Sequence, residues 1–319
     1  MYSVISLFSG CGGLDLGFRG GFKFLGKNYR HLNFDIQWAN DVDSNACFTY
    51  REFFNHEIVC KDIADVLTNK IKSDLFEPEM PLSTDVVIGG FPCQDFSHAG
   101  NRKGFSCSRG NMYLSMGHVI ERTRPKLFLA ENVKGLLTLG DGAAIKKITK
   151  DFKNIGYNVE YRLFMTADFG VPQKRERVLI IGTRDDILPS FIFAKPVLPK
   201  SKWITLESAI GDLEDLKEGQ FENHFWSKAK KNNGQGNNCV KKDAPGPTMR
   251  AEHHGNIEFH WNGKRRLSAR EAARIQSFPD DLIFLPSTSS AYKQIGNAVP
   301  PVFAWHMARS IQSFLKNNE

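Results

Sequence analysis

No two cysteines in this chain have CxxC spacing, and no cysteine sits near a histidine cluster. The six that occur, at 11, 47, 60, 93, 107 and 239, are scattered, which argues against structural zinc and against a disulfide framework. His253-His254 has no third ligand nearby, so no metal is expected. Long hydrophobic runs are missing too: none approaches the ~18 residues of a membrane helix. Internal repeats are absent, as is a basic leader with a small-residue cleavage site. The expectation is a cytoplasmic protein without a membrane partner. Two nucleotide-binding signatures fail. After Gly10-x-Gly12 the third glycine of the dinucleotide fingerprint falls on Asp15, and no Gly-Lys-Ser/Thr comes after it to make a P-loop. Acidic residues are also short, 35 against 42 Lys and Arg; the net +7 leans towards a polyanionic partner, most simply nucleic acid.

The residues that are present make an ordinary globular composition: 319 residues, 41% hydrophobic and 24% charged, enough for one large domain or one large and one small. The chain is organised around Gly89-Gly90-Phe91-Pro92-Cys93-Gln94-Asp95-Phe96-Ser97. Asp85-Val86-Val87-Ile88 before it reads as a short buried strand, and such a strand delivers the next loop to the carboxyl edge of an α/β sheet, where ligands bind. Pro92 has no amide hydrogen, so the strand stops and Cys93 is held in a loop. Most free cysteines are small buried hydrophobes. A single cysteine at a strand end is also how a nucleophile looks.

Further strands are expected near 3–8, 34–39, 58–60, 126–130, 158–166 and 177–182. The first runs into Ser9-Gly10-Cys11-Gly12-Gly13, a glycine turn before a helix start, which lets a ligand approach backbone amides. The second ends in Asn40-Asp41, where an acid can grip ribose hydroxyls. Residues 22–33 read as a surface excursion, and Ser44 as the cap of a helix burying Ala46, Phe48 and Phe53 or Phe54. Gly100 to Ser106 is a glycine-rich basic loop, a phosphate-touching lid or plain solvated loop. Helices are expected over 112–123, 206–216, 270–276 and 302–315. Glu131 directly follows an apolar strand, which is costly unless the carboxylate is exposed or used. If the last strand starts early, Arg175 and Arg177 point the same way. From Lys228 to Arg250 six Lys/Arg face one acid, Asp243, for a net +5. Interleaved with glycines and amides, that stretch suits a solvated face or a nucleic-acid groove.

With these blocks in order, Phe8-x-Gly10-x-Gly12-Gly13, Pro92-Cys93-Gln94, Glu131-Asn132-Val133, Gln173-x-Arg175-x-Arg177 and Gly296-Asn297, the chain closely resembles the bacterial DNA (cytosine-5)-methyltransferases of restriction-modification systems over nearly its whole length. The resemblance implies an α/β fold: a seven-stranded, Rossmann-like S-adenosylmethionine-dependent methyltransferase sheet with a smaller target-recognition domain. The expected division is 1–187 for catalysis and cofactor, 188–280 for recognition, and 281–319 returning to complete the catalytic domain. The 22–33 excursion is longer than usual, and Cys107 and Met112 replace the acid and leucine common in the lid.

The implied chemistry is methyl transfer from S-adenosylmethionine to C5 of a cytosine in double-stranded DNA, by base flipping and a covalent bond from Cys93 to C6. A free thiol has a pKa of ~8.5, so a cationic neighbour would favour its thiolate. By resemblance Arg177, with Arg175, supplies that charge and holds the base O2; Glu131 serves N3, and Asn132 orients the loop. The cofactor would lie among Phe8, Gly10, Cys11, Gly12, Gly13, Asn40, Asp41, Val42, Asp62, Ile63, Phe91, Pro92, Met112, Asn297 and Ala298. DNA would meet Gln94, Ser97, Arg102, Lys103, Arg109, Lys241, Lys242, Thr248, Arg250, His253 and His254. A monomer at the nucleoid is expected, with a cognate endonuclease as a candidate partner. The alternative is tRNA cytosine-5 methylation on the same fold. That branch carries Cys-Phe-Thr in its recognition region; here the tripeptide stands at 47–49 and the basic insert favours duplex DNA.

Overall fold

The computed structural model describes residues 1–68, 78–92, 112–188, 190–231, 236–251 and 257–318. Among them the main sheet takes β1 (Tyr2–Leu7), β4 (Phe34–Asp41), β5 (Val59–Cys60), β6 (Val86–Gly89), β7 (Leu127–Val133), β8 (Tyr157–Met165) and β9 (Glu176–Arg184), while β2 (Phe22–Phe24) and β3 (Lys27–Tyr29) form a separate hairpin. The helices are α1 (Gly13–Arg19), α2 (Ser44–Phe54), α3 (Ile63–Leu67), α4 (Met112–Thr123), α5 (Ala143–Asn154), α6 (Leu206–Ile210), α7 (Ala269–Ile275), α8 (Thr288–Asn297) and α9 (Pro301–Lys316).

The seven strands lie in the order β5-β4-β1-β6-β7-β9-β8, parallel from β5 to β7, with β9 antiparallel to both its neighbours. They fall where the apolar runs place them. Such runs arise because a parallel strand with both faces covered has no polar side. Val86 and Ile88 enter one core and Val87 the other; Leu127 and Leu129 likewise alternate with Phe128 and Ala130. The chain moves outward from β1 through β4 to β5, then returns to β6 on the other flank of β1. That reversal opens a crevice beyond the carboxyl ends of β1 and β6, where Leu7 pairs with Gly89.

Residues 22–33 leave the main sheet as a hairpin with exposed polar positions, but it is anchored to the core. Phe22, Phe24, Tyr29 and Leu32 are buried, Tyr29 stacks on Phe22 at 4.9 Å, and its edge meets Trp305 of α9 at 5.2 Å. In α2, Asp43 is the cap, accepting from the Asn45 and Ala46 amides; Phe48 faces solvent while Ala46, Cys47, Thr49 and Tyr50 turn inward. The α6 helix stops at Ile210 and continues as a short 3-10 turn to Leu213. Closure of the sheet onto the end of the chain depends on Gly17. A Cβ there would lie 2.3 Å from the Ala304 Cβ and 2.7 Å from the Trp305 nitrogen, so α1 and α9 touch through bare backbone. None of the described helices is long and apolar enough to cross a membrane.

Beneath the Gly10–Gly13 turn, Asp15 is wholly buried, accepting from Ser6 Oγ at 3.0 Å and Tyr50 OH at 3.1 Å. Burial outweighs those bonds and pushes its pKa from 3.8 up to about 6. Between those two values the folded protein keeps a proton that the unfolded chain has released. The associated stability is complete below the lower value and lost as pH rises through the upper one. The difference amounts to about 3 kcal/mol at most. Asp15→Asn should flatten this part of the pH dependence when urea midpoints are compared at pH 4, 5, 6 and 7. Equal slopes in the two proteins would mean that Asp15 does not titrate in this window.

Candidate active site

Parallel pairing of β6 with β7 sets Gly89 beside Ala130, so the loop leaving β6 passes directly over Glu131. Gly90 makes room for it: a Cβ there would come within 3.2 Å of Glu131 Oε2. Asn132 donates from Nδ2 to the Phe91 carbonyl at 3.0 Å, and its Oδ1 accepts from the Val133 amide at 2.8 Å. The amide side chain thereby fastens the loop two residues before Cys93. On the other flank β9 runs antiparallel with Leu179 opposite Glu131 and Arg177 opposite Val133. Residues two apart share a face, so Arg177 reaches Glu131 diagonally. Its Nε lies 2.6 Å from Oε1, and both side chains are about 10% exposed. Arg177 Nη1 also donates to the Glu176 carbonyl at 2.8 Å. Burial lowers the Arg177 pKa from its ordinary value, an effect that Glu131 partly offsets. A cation and a carboxylate, oriented and largely dry, thus stand at the mouth of the Phe91-Pro92 loop.

Arg175 goes elsewhere. It precedes β9, is 2% exposed, and donates to the carbonyls of Met249 at 2.8 Å, Gly296 at 2.8 Å and Ala298 at 3.3 Å. Period-two spacing would give it a common direction with Arg177, but that spacing applies only within a strand, and β9 begins at Glu176. Burial, and secondarily Arg177, push the Arg175 pKa down; the three carbonyl dipoles solvate the guanidinium in place of water.

Among the candidate cofactor residues, Phe8 has φ +55°, a conformation uncommon for a residue with a Cβ, and Gly10 and Gly12 follow at +56° and +84°. A Cβ on Gly10 would meet nothing within 4 Å, whereas one on Gly12 would strike the Phe54 ring at 2.2 Å. Gly10 therefore presents open backbone, and Gly12 is required by packing. Asp41 receives the Gly10 amide at 2.7 Å and the Asp43 amide at 2.8 Å. Burial nonetheless raises its pKa. Asp62 caps α3 through the Ala64 amide and is half-buried, with Ile63 buried behind it. Asn40 spends its amide on the Val59 and Lys61 carbonyls at 2.8 Å each, pinning β5 to β4, while Val42 is exposed. Asp41 thus ties the end of β4 to the open glycine turn, while Asp62 stands just beyond the end of β5. Cys11, Gly13 and Phe91 are buried, Pro92 and Asn297 exposed, and Met112 and Ala298 half-buried. Burial pushes the Cys11 and Cys47 thiols far up, so neither is a thiolate near neutrality.

Among the DNA candidates, Lys241, Lys242 and Arg250 are exposed, and Thr248 donates to the Lys174 carbonyl at 2.9 Å. Cys93, Gln94, Ser97, Arg102, Lys103, Arg109, His253 and His254 lie outside the described residues. The Cys-Phe-Thr tripeptide at 47–49 sits within α2. Two residues absent from the expected set stand out. Gln173 bonds the Ile275 carbonyl, Gln276 Oε1 and the Met249 amide, and Gly296 lies so close to Arg250 that a Cβ would fall 2.2 Å from its carbonyl carbon. Their only sequence signal is their place in the motif blocks.

Comparison with known proteins agrees with this architecture. The family described as C-5 cytosine-specific DNA methylase matches residues 2–244 and 237–313. The chain is 34% identical to the Type II methyltransferase M.NgoFVII of Neisseria gonorrhoeae, over 99% of this chain and 87% of that protein. It is 36% identical to the Type II methyltransferase M.BspRI of Lysinibacillus sphaericus, over 99% and 84%. Among solved structures, the S. pombe Dnmt2 methyltransferase superposes with a TM-score of 0.70 at 18% identity, covering 99% of each chain. With the sheet, the family match and these full-length relatives in agreement, the chain belongs to the C-5 cytosine-specific DNA methylase family.

Proposed function

We propose that this enzyme methylates one cytosine within a fixed duplex sequence, with Cys93 as its covalent nucleophile and Glu131 and Arg177 as the groups that act on the base. Membership of the family makes it a DNA (cytosine-5)-methyltransferase of the kind found in restriction-modification systems, on the S-adenosylmethionine-dependent methyltransferase fold. The observation that carries the mechanistic reading is the buried Glu131–Arg177 pair at 2.6 Å beside the loop that leads to Cys93.

Cytosine C5 is a poor nucleophile, and attack on C6 by the Cys93 thiolate converts C5 into an enamine carbon. Charge displaced by that attack collects at N3, which Glu131 protonates or hydrogen-bonds, while Arg177 holds O2 and keeps the carboxyl plane fixed. When bound, S-adenosylmethionine supplies the electrophilic methyl group; Gly10, Asp41, Asp62 and the Asn297 end of α8 would hold it. Loss of the C5 proton to water, with the proton on N3 returned through Glu131, then expels the thiolate and restores the ring. A stacked base is out of reach of these groups, so the target nucleotide leaves the helix.

Residues 188–280 would form the recognition unit, and 228–256 its reading surface, being polar, basic and separate in sequence from the catalytic blocks. Transplanting 228–256 into a relative of different specificity should transfer the methylated site; a recipient that keeps its own site would refute the assignment. The substrate itself is tested by bisulfite sequencing of DNA from expressing cells, alongside methyl incorporation into purified tRNA. Modified cytosines at one recurrent sequence support the reading, and incorporation into tRNA alone would replace it. The reading extends to a monomer acting at the nucleoid, with an endonuclease of the same specificity as its candidate partner.

A further inference from the structure

We infer that Arg175 is a positioning residue rather than a base-contacting one, its guanidinium forming the joint between the recognition segment at Met249 and the Gly296–Ala298 turn. The inference rests on residues 228–256 reading DNA, as proposed above. Three features carry it. One buried cation donates to carbonyls from two segments that are remote in sequence, Met249 on one side and Gly296 and Ala298 on the other. Gln173, two residues earlier, grips the same place from a second direction: its Oε1 accepts from the Met249 amide at 2.9 Å while its Nε2 donates to the Ile275 carbonyl at 3.2 Å. Between these bonds the Lys174 amide donates to the Gly246 carbonyl at 2.8 Å, and the Gly246 amide donates to the Pro172 carbonyl at 2.9 Å. The segment 172–175 is thus laced along 246–249, immediately before the exposed Arg250.

The third feature is Gly296. Its missing side chain is replaced by the Arg250–Ala251 backbone, with the Arg250 carbonyl carbon 2.2 Å and the Ala251 nitrogen 2.3 Å from where a Cβ would stand. The recognition segment therefore presses directly on the turn that carries Asn297 and Ala298. Arg175 holds Gly296 itself and Met249, the residue before Arg250, by their carbonyls. A shift of the Arg250 backbone on DNA would therefore press on Gly296, whose carbonyl Arg175 also holds. Conversely, an ill-seated turn releases Met249. A coupling of this kind is reciprocal: whatever factor a matched duplex contributes to cofactor affinity, the cofactor returns to duplex affinity.

The test compares Arg175→Lys, Arg175→Met and Arg177→Lys, first confirming that the parent methylates a defined site. Rates are measured on that duplex and on duplexes with one base changed. Binding of S-adenosylhomocysteine is measured calorimetrically with each duplex. Both Arg175 variants should reduce discrimination between matched and changed sites by at least ~10-fold, the scale of one mismatched pair. They should also erase the extra S-adenosylhomocysteine affinity given by the matched duplex. Arg177→Lys should instead lower the saturated rate and keep discrimination. If Arg175→Met lowers the saturated rate as far as Arg177→Lys does, with discrimination intact, Arg175 acts on the base and the inference fails. Should Arg175→Met not fold, Gly296→Ala and Gln173→Leu disturb the same joint from its other sides, and parent-like discrimination in both would equally overturn it. A parent that methylates no DNA refutes the functional reading instead, so the two failures are distinct.

Discussion

A duplex carrying 5-fluorocytosine at the methylated position should trap the enzyme in a complex that survives boiling in detergent, and Cys93→Ser should abolish the trap entirely. Addition of the thiolate to C6 ties protein to DNA until the C5 hydrogen leaves as a proton. Fluorine cannot leave as a cation, so the bond persists after the methyl has been received. The trap should require S-adenosylmethionine, because receipt of the methyl consumes the enamine and makes reversal of the addition difficult. Cys11→Ser and Cys47→Ser should both trap normally, since burial keeps those thiols protonated. Cys60→Ser, Cys107→Ser and Cys239→Ser should do the same. Electrophoresis of the boiled reactions decides the matter. A band that persists in Cys93→Ser, or that never forms in the parent on a verified site, removes Cys93 as nucleophile.

The second large effect is expected at Glu131. Glu131→Gln keeps a group able to hydrogen-bond N3 but unable to give it a proton, so the single-turnover rate should fall by ~10²-fold or more. The amide also remains within reach of Arg177 Nε, which now lies 2.6 Å from the carboxylate, so gross rearrangement of β7 against β9 is not anticipated. Cofactor affinity should hardly change, because Glu131 faces the base loop at Gly90 rather than the Gly10 turn. A single-turnover rate equal to the parent's would take Glu131 out of the mechanism.

The sheet is legible in the sequence because its strands are short apolar runs punctuated by glycine, proline and acids, and the doubly covered parallel strands leave no other reading of Val86–Ile88 or Leu127–Ala130. The same rule hides the 22–29 hairpin. Phe22-Lys23-Phe24 alternates over only three residues, and the surface that covers it belongs to Trp305 and its neighbours, far along the chain. Phe48 differs from its expected place by one step of a helical wheel: α2 turns Cys47 and Tyr50 inward, three residues apart, and Phe48 is left outside. At the site, an acid at the end of β4 is visible in the sequence, but its engagement by the Gly10 and Asp43 amides depends on how two turns meet. Arg175 and Arg177 look alike in the sequence. They part because the carbonyls that claim Arg175 come from residues 249, 296 and 298, which no local pattern brings together.

The contact of Gly17 with Ala304 and Trp305 has a consequence for the timing of synthesis. The helix that begins at the Gly10–Gly13 turn leaves the ribosome well over two hundred residues before its partner helix, Pro301–Lys316. Until Pro301–Lys316 emerges, Leu14, Leu16 and Phe18 lack the surface that finally covers α1, so the Gly10–Gly13 turn rests on an open flank. Nearly every loop of the chain is enclosed within that one contact, the arrangement that makes folding slow and late. A growing polypeptide therefore carries the whole 228–250 basic stretch before the flank of the Gly10–Gly13 turn is covered.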